Sequence, residues 1–261
     1  MITNTEIKEI ARKFAVPPST IERDYAQNWL LKYLNSMKMA FKGGTSIRKV
    51  YIENYRFSDD LDFTLHSPVD KETIKIGIQD SIDQVRNASG IQFEEDVSIN
   101  ETKSGFRAIA RFRIINRNAL APITIKLDIT DSKNERILLP VVQKPLFHHF
   151  SDSLEATISS YSLEEIMAEK IRSLFQRTRS RDLYDIGQLS TAVNCEQVKS
   201  IIYTKFKYKD VSLDISRLNK NRSKFEGSWN ASLRHQMKCV PDFNETFTTT
   251  IEVIKYYIDV F

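Results

Sequence analysis

Apolar residues recur along this chain with two different periods, and the change of period divides it. Residues 5–15 and 19–35 read as helices, the second with Ile21, Tyr25, Trp29, Leu30 and Tyr33 at helical spacing. Pro17 and Pro18 separate them, and Ser19 followed three residues later by Glu22 has the spacing of a capping box. A short apolar stretch at 37–41 predicts a strand. It runs into Lys42-Gly43-Gly44-Thr45-Ser46 and then a helical pattern at Ile47, Val50 and Tyr51, so the expected order is strand, glycine turn, helix. Residues 60–66 predict a second strand, 70–87 a helix, and 91–99, 105–115 and 122–130 three further strands. In 105–115 the alternation is clean: Phe106, Ala108, Ala110, Phe112 and Ile114 share one face, and Arg107, Arg111 and Arg113 the other.

From about residue 160 the period is helical and stays so. Ser162 and Glu165 form a second capping-box pattern, opening a helix through about Gln176. Residues 179–190 read as a turn into another helix, and 195–261 as helices with polar connections. There is no internal repeat. The order predicts an α+β fold: N-terminal helices and a small mixed sheet over 1–150, then a helical C-terminal domain over 151–261.

Composition narrows this only a little. A chain of 261 residues buries a sizeable core, and seven glycines and seven prolines are too few for an all-β fold with many tight turns. A net charge of +4 permits a nucleotide or nucleic-acid partner without demanding one. Cys195 and Cys239 have no metal-binding or redox spacing and read as reduced thiols. The N-terminus lacks an apolar signal region, and no run approaches the ~20 apolar residues of a membrane span. A soluble cytoplasmic protein with no membrane partner is the expectation.

The chemistry begins at Asp60-Leu61-Asp62. Residues two apart on a strand point to one face, so Asp60, Asp62 and Thr64 face one way while Leu61, Phe63 and Leu65 pack on the other. Two carboxylates held this close repel unless a cation intervenes, and an oxygen-rich site suits Mg²⁺ or Mn²⁺; the bland alternative is a solvated strand face. The glycine turn about a dozen residues earlier changes the balance. Backbone N–H groups at Gly43 and Gly44 can approach phosphate oxygens, and Thr45 and Ser46 add hydroxyls. A glycine pair at a helix start, followed by Asp-x-Asp on the next strand, is the signature of a nucleotidyltransferase. In 123–129 the apolar face is Ile123, Ile125, Leu127 and Ile129, and Asp128 lies on the other. A third carboxylate there completes a two-metal site, unless it is a plain strand-end acid. Lys170 falls in the middle of the apolar stripe of its helix, where its amine either snorkels to the rim or meets an anion. Asp182 and Asp185 are i, i+3 on the next helix, and Asp182 could simply cap it.

These segments, in this order, resemble the AbiEii/AbiGii-type toxin nucleotidyltransferases, a polymerase-β-like family that includes the MenT-like toxins. Phe41-Lys-Gly-Gly-Thr-Ser-Ile-Arg-Lys-Val-Tyr51 with Arg56-Phe-Ser-Asp-Asp-Leu-Asp-Phe63 resembles the first motif, Lys126-Leu-Asp128 the second, Glu164-Glu-Ile-Met-Ala-Glu-Lys170 the third and Arg181-Asp-Leu-Tyr-Asp185 the fourth. Ile21-Glu-Arg-Asp-Tyr25 matches the family's opening helix, and 195–261 carries nothing that matches. The resemblance implies an NTP substrate, Mg²⁺ (or Mn²⁺) as cofactor, a cognate antitoxin encoded nearby, and an RNA acceptor, with the tRNA 3′ end expected. Asp60, Asp62 and Asp128 are then the metal ligands. Lys42, Arg48 and Lys170 neutralise phosphate charge, Gly43, Gly44, Thr45 and Ser46 hold the triphosphate, and Asp182 supports the nucleotide. Two alternatives remain: the same fold acting on a protein or small molecule, and a non-catalytic nucleotide- or RNA-binding module.

Overall fold

The computed structural model describes residues 1–115 and 121–258; the last three residues of the predicted C-terminal helical stretch lie outside them. The chain divides into two compact units, Met1–Glu135 with Val141–Ser160, and Arg136–Pro140 with Tyr161–Phe261.

In the first unit, α1 (Asn4–Phe14) is capped by Thr3 and closed by Ala15 in the left-handed region. Helix α2 (Pro18–Leu34) starts on Pro18 with no side-chain cap, a position where the missing N–H costs nothing. The expected Ser19–Glu22 capping box is therefore not formed. Glu22 instead accepts the backbone N–H of Ile115 at 3.0 Å, and burial pushes its pKa up against that bond. Most of α2 is buried, Gln27 and Asn28 as well as Tyr25 and Leu30, so it is a core helix and not a surface one.

The mixed sheet holds β1 (Met39–Lys42), β2 (Asp60–Leu65), β3 (Gln92–Phe93), β4 (Ser98–Thr102), β5 (Gly105–Arg113), β6 (Ile123–Thr130), β7 (Val142–Pro145) and β8 (Thr157–Ser160). Their order is β3-β5-β6-β2-β1-β8-β7, with β4 also on β5. The pairs β2–β6 and β1–β8 are parallel and the others antiparallel. Ile125, Leu127, Ile129, Leu61, Phe63, Ala108, Ala110 and Phe112 bury the core face, against which α4 (Lys71–Ser89) supplies Ile74, Ile78, Ile82 and Val85. The predicted single strand at 91–99 is two short strands, β3 and β4. Strands β7 and β8 were not foreseen. Each is four residues with little apolar alternation, and β8 is held by parallel pairing of Ser160 to Phe41 and by its hydroxyl donating to Phe41 O at 3.0 Å. The helix after the glycines is one α turn, α3 (Gly43–Ser46), continued by a π turn over Ile47–Tyr51.

The second unit is helical among its described residues: α5 (Leu163–Gln176), α6 (Ser180–Leu189), α7 (Cys195–Tyr208), α8 (Ile215–Lys220), α9 (Arg222–Leu233) and α10 (Phe243–Tyr257). Ser162 caps α5, accepting the Glu165 N–H at 3.1 Å as expected. The Glu165 carboxylate does not return the bond. It accepts from the N–H groups of Leu138 and Leu139 and pairs with Lys205 at 2.5 Å, Glu165 and Lys205 both being buried. Phe225, Trp229, Phe243 and Phe247 form an aromatic cluster between α9 and α10.

Candidate active site

The buried Leu61, Phe63 and Leu65 anchor one face of β2, which leaves Asp60 and Asp62 half-buried on the other. Strand register then builds a row. Lys42 on β1 pairs with Asp62 on β2, Asp62 with Asp128 on β6, and Asp128 with Arg107 on β5. Registered neighbours project to the same face of a sheet. Four adjacent strands thus carry, in line, a cation, two carboxylates and a cation, with Asp60 two residues from Asp62. Arg107 grips Asp128 with both arms, Nε to Oδ1 at 2.6 Å and Nη2 to Oδ2 at 3.0 Å. Its pKa is raised by that bond and charge first, and then by the fields of Asp60 and Asp62. All three acids therefore act on one guanidinium. Arg107 was assigned no site role from the sequence. Alternation put it on the polar face of its strand, but only register puts it opposite Asp128.

Among the described residues, no group of three or more His, Cys, Asp or Glu side chains is arranged as a ready metal cage. Both oxygens of Asp128 are turned to Arg107. The donor set itself is carboxylate oxygen, which suits a hard, water-retaining divalent cation. Two acids sharing a face beside a third are also the arrangement whose mutual repulsion such a cation relieves.

The glycine turn lies directly against this row. Gly43 has φ +79°, and a Cβ built on it would overlap Asp62 Oδ2. A Cβ on Gly44 would come within 2.6 Å of the Arg56 guanidinium. The hydroxyls that follow point inward: Thr45 donates to Asp60 O, and Ser46 to Gly43 O at 2.9 Å, both side chains buried. Thr45 fastens the turn to the first residue of β2, and Ser46 closes the turn on itself. Replacing Gly43 by alanine is expected to destabilise the protein by about 1–3 kcal/mol, the cost of a strained left-handed residue. It should also displace the Asp62 carboxylate, so activity falls more than the urea midpoint predicts. Equal activity in Gly43→Ala and wild type would show that Asp62 has no fixed position to lose.

Arg48 is placed elsewhere than expected of a phosphate ligand. Its Nε and Nη2 donate to Asp24 at 2.7 and 3.2 Å, Nη1 donates to Tyr55 O, and its plane lies 3.6 Å over the Phe57 ring. Burial pushes Asp24 up, but Arg48 and Lys49 outweigh it and hold the carboxyl far below its usual range.

In the helical unit, Lys170 is buried as its stripe position predicts, and it does not snorkel. Its amine pairs with Asp182 at 3.0 Å and Asp185 at 2.6 Å, while Arg177 reaches Asp182 at 3.4 Å. Asp182 does not cap α6, whose N-cap is Arg179. Burial raises the pKa of Asp182, Lys170 and Arg177 lower it more, and Asp185 works against them; the net shift is downward. Asp185 had no role in the sequence reading, although its i, i+3 spacing from Asp182 was the signal.

A mixed sheet with a glycine turn, Asp-x-Asp on the next strand and a third acid on a parallel neighbour defines a nucleotidyltransferase core. Residues 29–253 match the family described as the nucleotidyl transferase AbiEii toxin of type IV toxin–antitoxin systems. The chain belongs to that family. Its fold is similar to that of MenT4, a nucleotidyltransferase toxin from Mycobacterium tuberculosis, at TM-score 0.69 and 18% identity, covering 99% of this chain and 90% of that one. It is also similar to JHP933 from Helicobacter pylori (TM-score 0.62, 18% identity, 94% of each chain). A third likeness is to a putative nucleotidyltransferase from H. pylori (TM-score 0.60, 19% identity, 94% of this chain and 97% of that one). No curated protein sequence matches. Membership implies a cognate antitoxin, and no described helix is long and apolar enough to cross a membrane.

Proposed function

We propose that this toxin transfers a nucleoside monophosphate from an NTP to an RNA acceptor, with the tRNA 3′ end as its target, and that it does so with Mg²⁺ or Mn²⁺. The observation that carries this is the registered row Lys42, Asp62, Asp128, Arg107 with the glycine turn against it. Asp60, Asp62 and Asp128 would hold the metal, which when bound screens phosphate charge and makes an attacking hydroxyl more acidic. Gly43 leaves room for the Asp62 carboxylate and Gly44 for the Arg56 guanidinium, where a Cβ would intrude, and the backbone N–H groups of the turn are the groups that would meet phosphate oxygens. Thr45 and Ser46 act by position, Thr45 holding the turn to β2 and Ser46 bracing the turn itself. Lys42 and Arg107 balance the charge of the row, and Asp128 would hold a metal only with its oxygens released from Arg107. Lys170, oriented by Asp182 and Asp185, is assigned to phosphate charge. Positioning and charge stabilisation supply most of the acceleration in such transfers.

The test is a labelling assay: purified protein, Mg²⁺ or Mn²⁺, each α-labelled NTP in turn, and total cellular RNA. The expected result is a labelled band of tRNA size that disappears with EDTA. Label on protein or on a small molecule, and none on RNA, would replace the proposed acceptor.

A further inference from the structure

A cavity of about 230 Å³ in the first unit is lined from α1, α2, the π turn, the segment after it as far as Phe57, and Phe147, His149 and Phe150, and none of the carboxylate row lines it. Its buried floor is Asp24, Arg48 and Lys49. Lys49 is only 2% exposed and donates to Asp24 O at 2.7 Å and Asp24 Oδ1 at 2.6 Å. An ammonium has three donors and a guanidinium five. The third N–H of Lys49 and one each on Nη1 and Nη2 of Arg48 are left over from these bonds. Two cations against one carboxylate leave the floor with an excess positive charge. At the rim, exposed Lys13 and Glu53 offset each other, and His149 adds charge only when protonated. Burial lowers the Lys49 pKa to about 8, with Arg48 adding to the effect and Asp24 opposing it. A buried excess charge with spare donors facing a cavity calls for a counter-ion. The walls are Phe14 and Phe57, packed edge to face at 5.5 Å, and the volume exceeds the ~150 Å³ that admits benzene.

We propose that this cavity is a phosphate-binding site separate from the carboxylate row, in which Lys49 and Arg48 donate to the oxygens of a phosphate group, free or carried by a small metabolite. The test is calorimetric titration of the full chain with sodium sulfate, sodium phosphate and AMP in turn, at ionic strength matched with sodium chloride. Saturable binding is expected, weakened at least about tenfold in Lys49→Met, the loss of one charge-assisted hydrogen bond. AMP binding more tightly than phosphate, in a Lys49-dependent manner, assigns a phosphate monoester; equal binding assigns free phosphate. Wild type supplies a second reading that needs no variant. At pH 8.5 Lys49 is partly neutral, and an anion beside it restores its proton. Sulfate, which does not titrate there, should therefore bind with proton uptake, seen as a heat that varies with the ionisation enthalpy of the buffer. No saturable binding, equal affinity in Lys49→Met, or sulfate binding without proton uptake would overturn the proposal.

Discussion

Replacing Asp62 by alanine is expected to lower nucleotidyl transfer about a thousandfold or more while leaving the melting temperature near that of wild type. The size follows from the several kcal/mol of charge stabilisation a metal ligand controls, at tenfold for each ~1.4 kcal/mol. The fold survives for a structural reason. Asp62 is half-buried on the polar face of β2, registered against Lys42 on one side and Asp128 on the other. Removing it takes away one of two adjacent like charges and leaves the opposite face, with Leu61 and Phe63, undisturbed. Leu61→Ala provides the contrast. That fully buried side chain is in the core, so its truncation should cost about 2–5 kcal/mol and lower activity only through unfolding. Single-turnover labelling and thermal melts on both variants separate chemistry from folding. Transfer by Asp62→Ala within a few fold of wild type would remove the site assignment.

The largest stability effect is expected within the helical unit. Glu165→Ala should destabilise the protein by about 3–5 kcal/mol, the range for breaking a buried ion pair by removing one partner. Glu165 is fully buried and Lys205 is 1% exposed, so the variant leaves a buried ammonium without this carboxylate. It also strips the acceptor from two backbone N–H groups, Leu138 at 3.1 Å and Leu139 at 2.8 Å. Lys205 keeps its bond to Arg136 O at 2.6 Å, which ties the same segment. The double variant Glu165→Leu, Lys205→Met removes both charges and should recover a large part of the loss. Urea unfolding of wild type, single and double variants decides this; a double variant no more stable than the single would mean the backbone bonds, and not the charges, dominate.

How far the sequence reached can be judged from these residues. The alternation in β2, β5 and β6 was readable because period-2 patterning survives wherever one face is core: Leu61 and Phe63, Ala108 and Ala110, Leu127 and Ile129. Asp60, Asp62 and Asp128 could be placed on the polar faces of their strands for the same reason. The Ser162 cap was legible because the bond spans three residues, and Lys170 stood out as a cation inside an apolar stripe. The failures have one cause as well. Ser19 and Glu22 had capping-box spacing, but Pro18 supplies a helix start without a cap and Glu22 is drawn to Ile115, 93 residues away. Strands β7 and β8 have almost no pattern of their own and exist through pairing with each other and with Phe41.

What the chain by itself determined is therefore the local and periodic part: which segments are strands and helices, which face of each is core, the glycine turn before the paired acids, and with these the family. Such features depend on residues within a turn or two of one another, where spacing alone sets geometry. Tertiary structure decided which side chains meet. It set Arg107 on Asp128 by register, turned Thr45 and Ser46 inward, gave Lys170 two carboxylates, and drew Arg48 to Asp24, leaving a charged cavity. Strand order and helix packing bring together residues that no short-range pattern couples, and the buried charges then take the partners that burial makes obligatory.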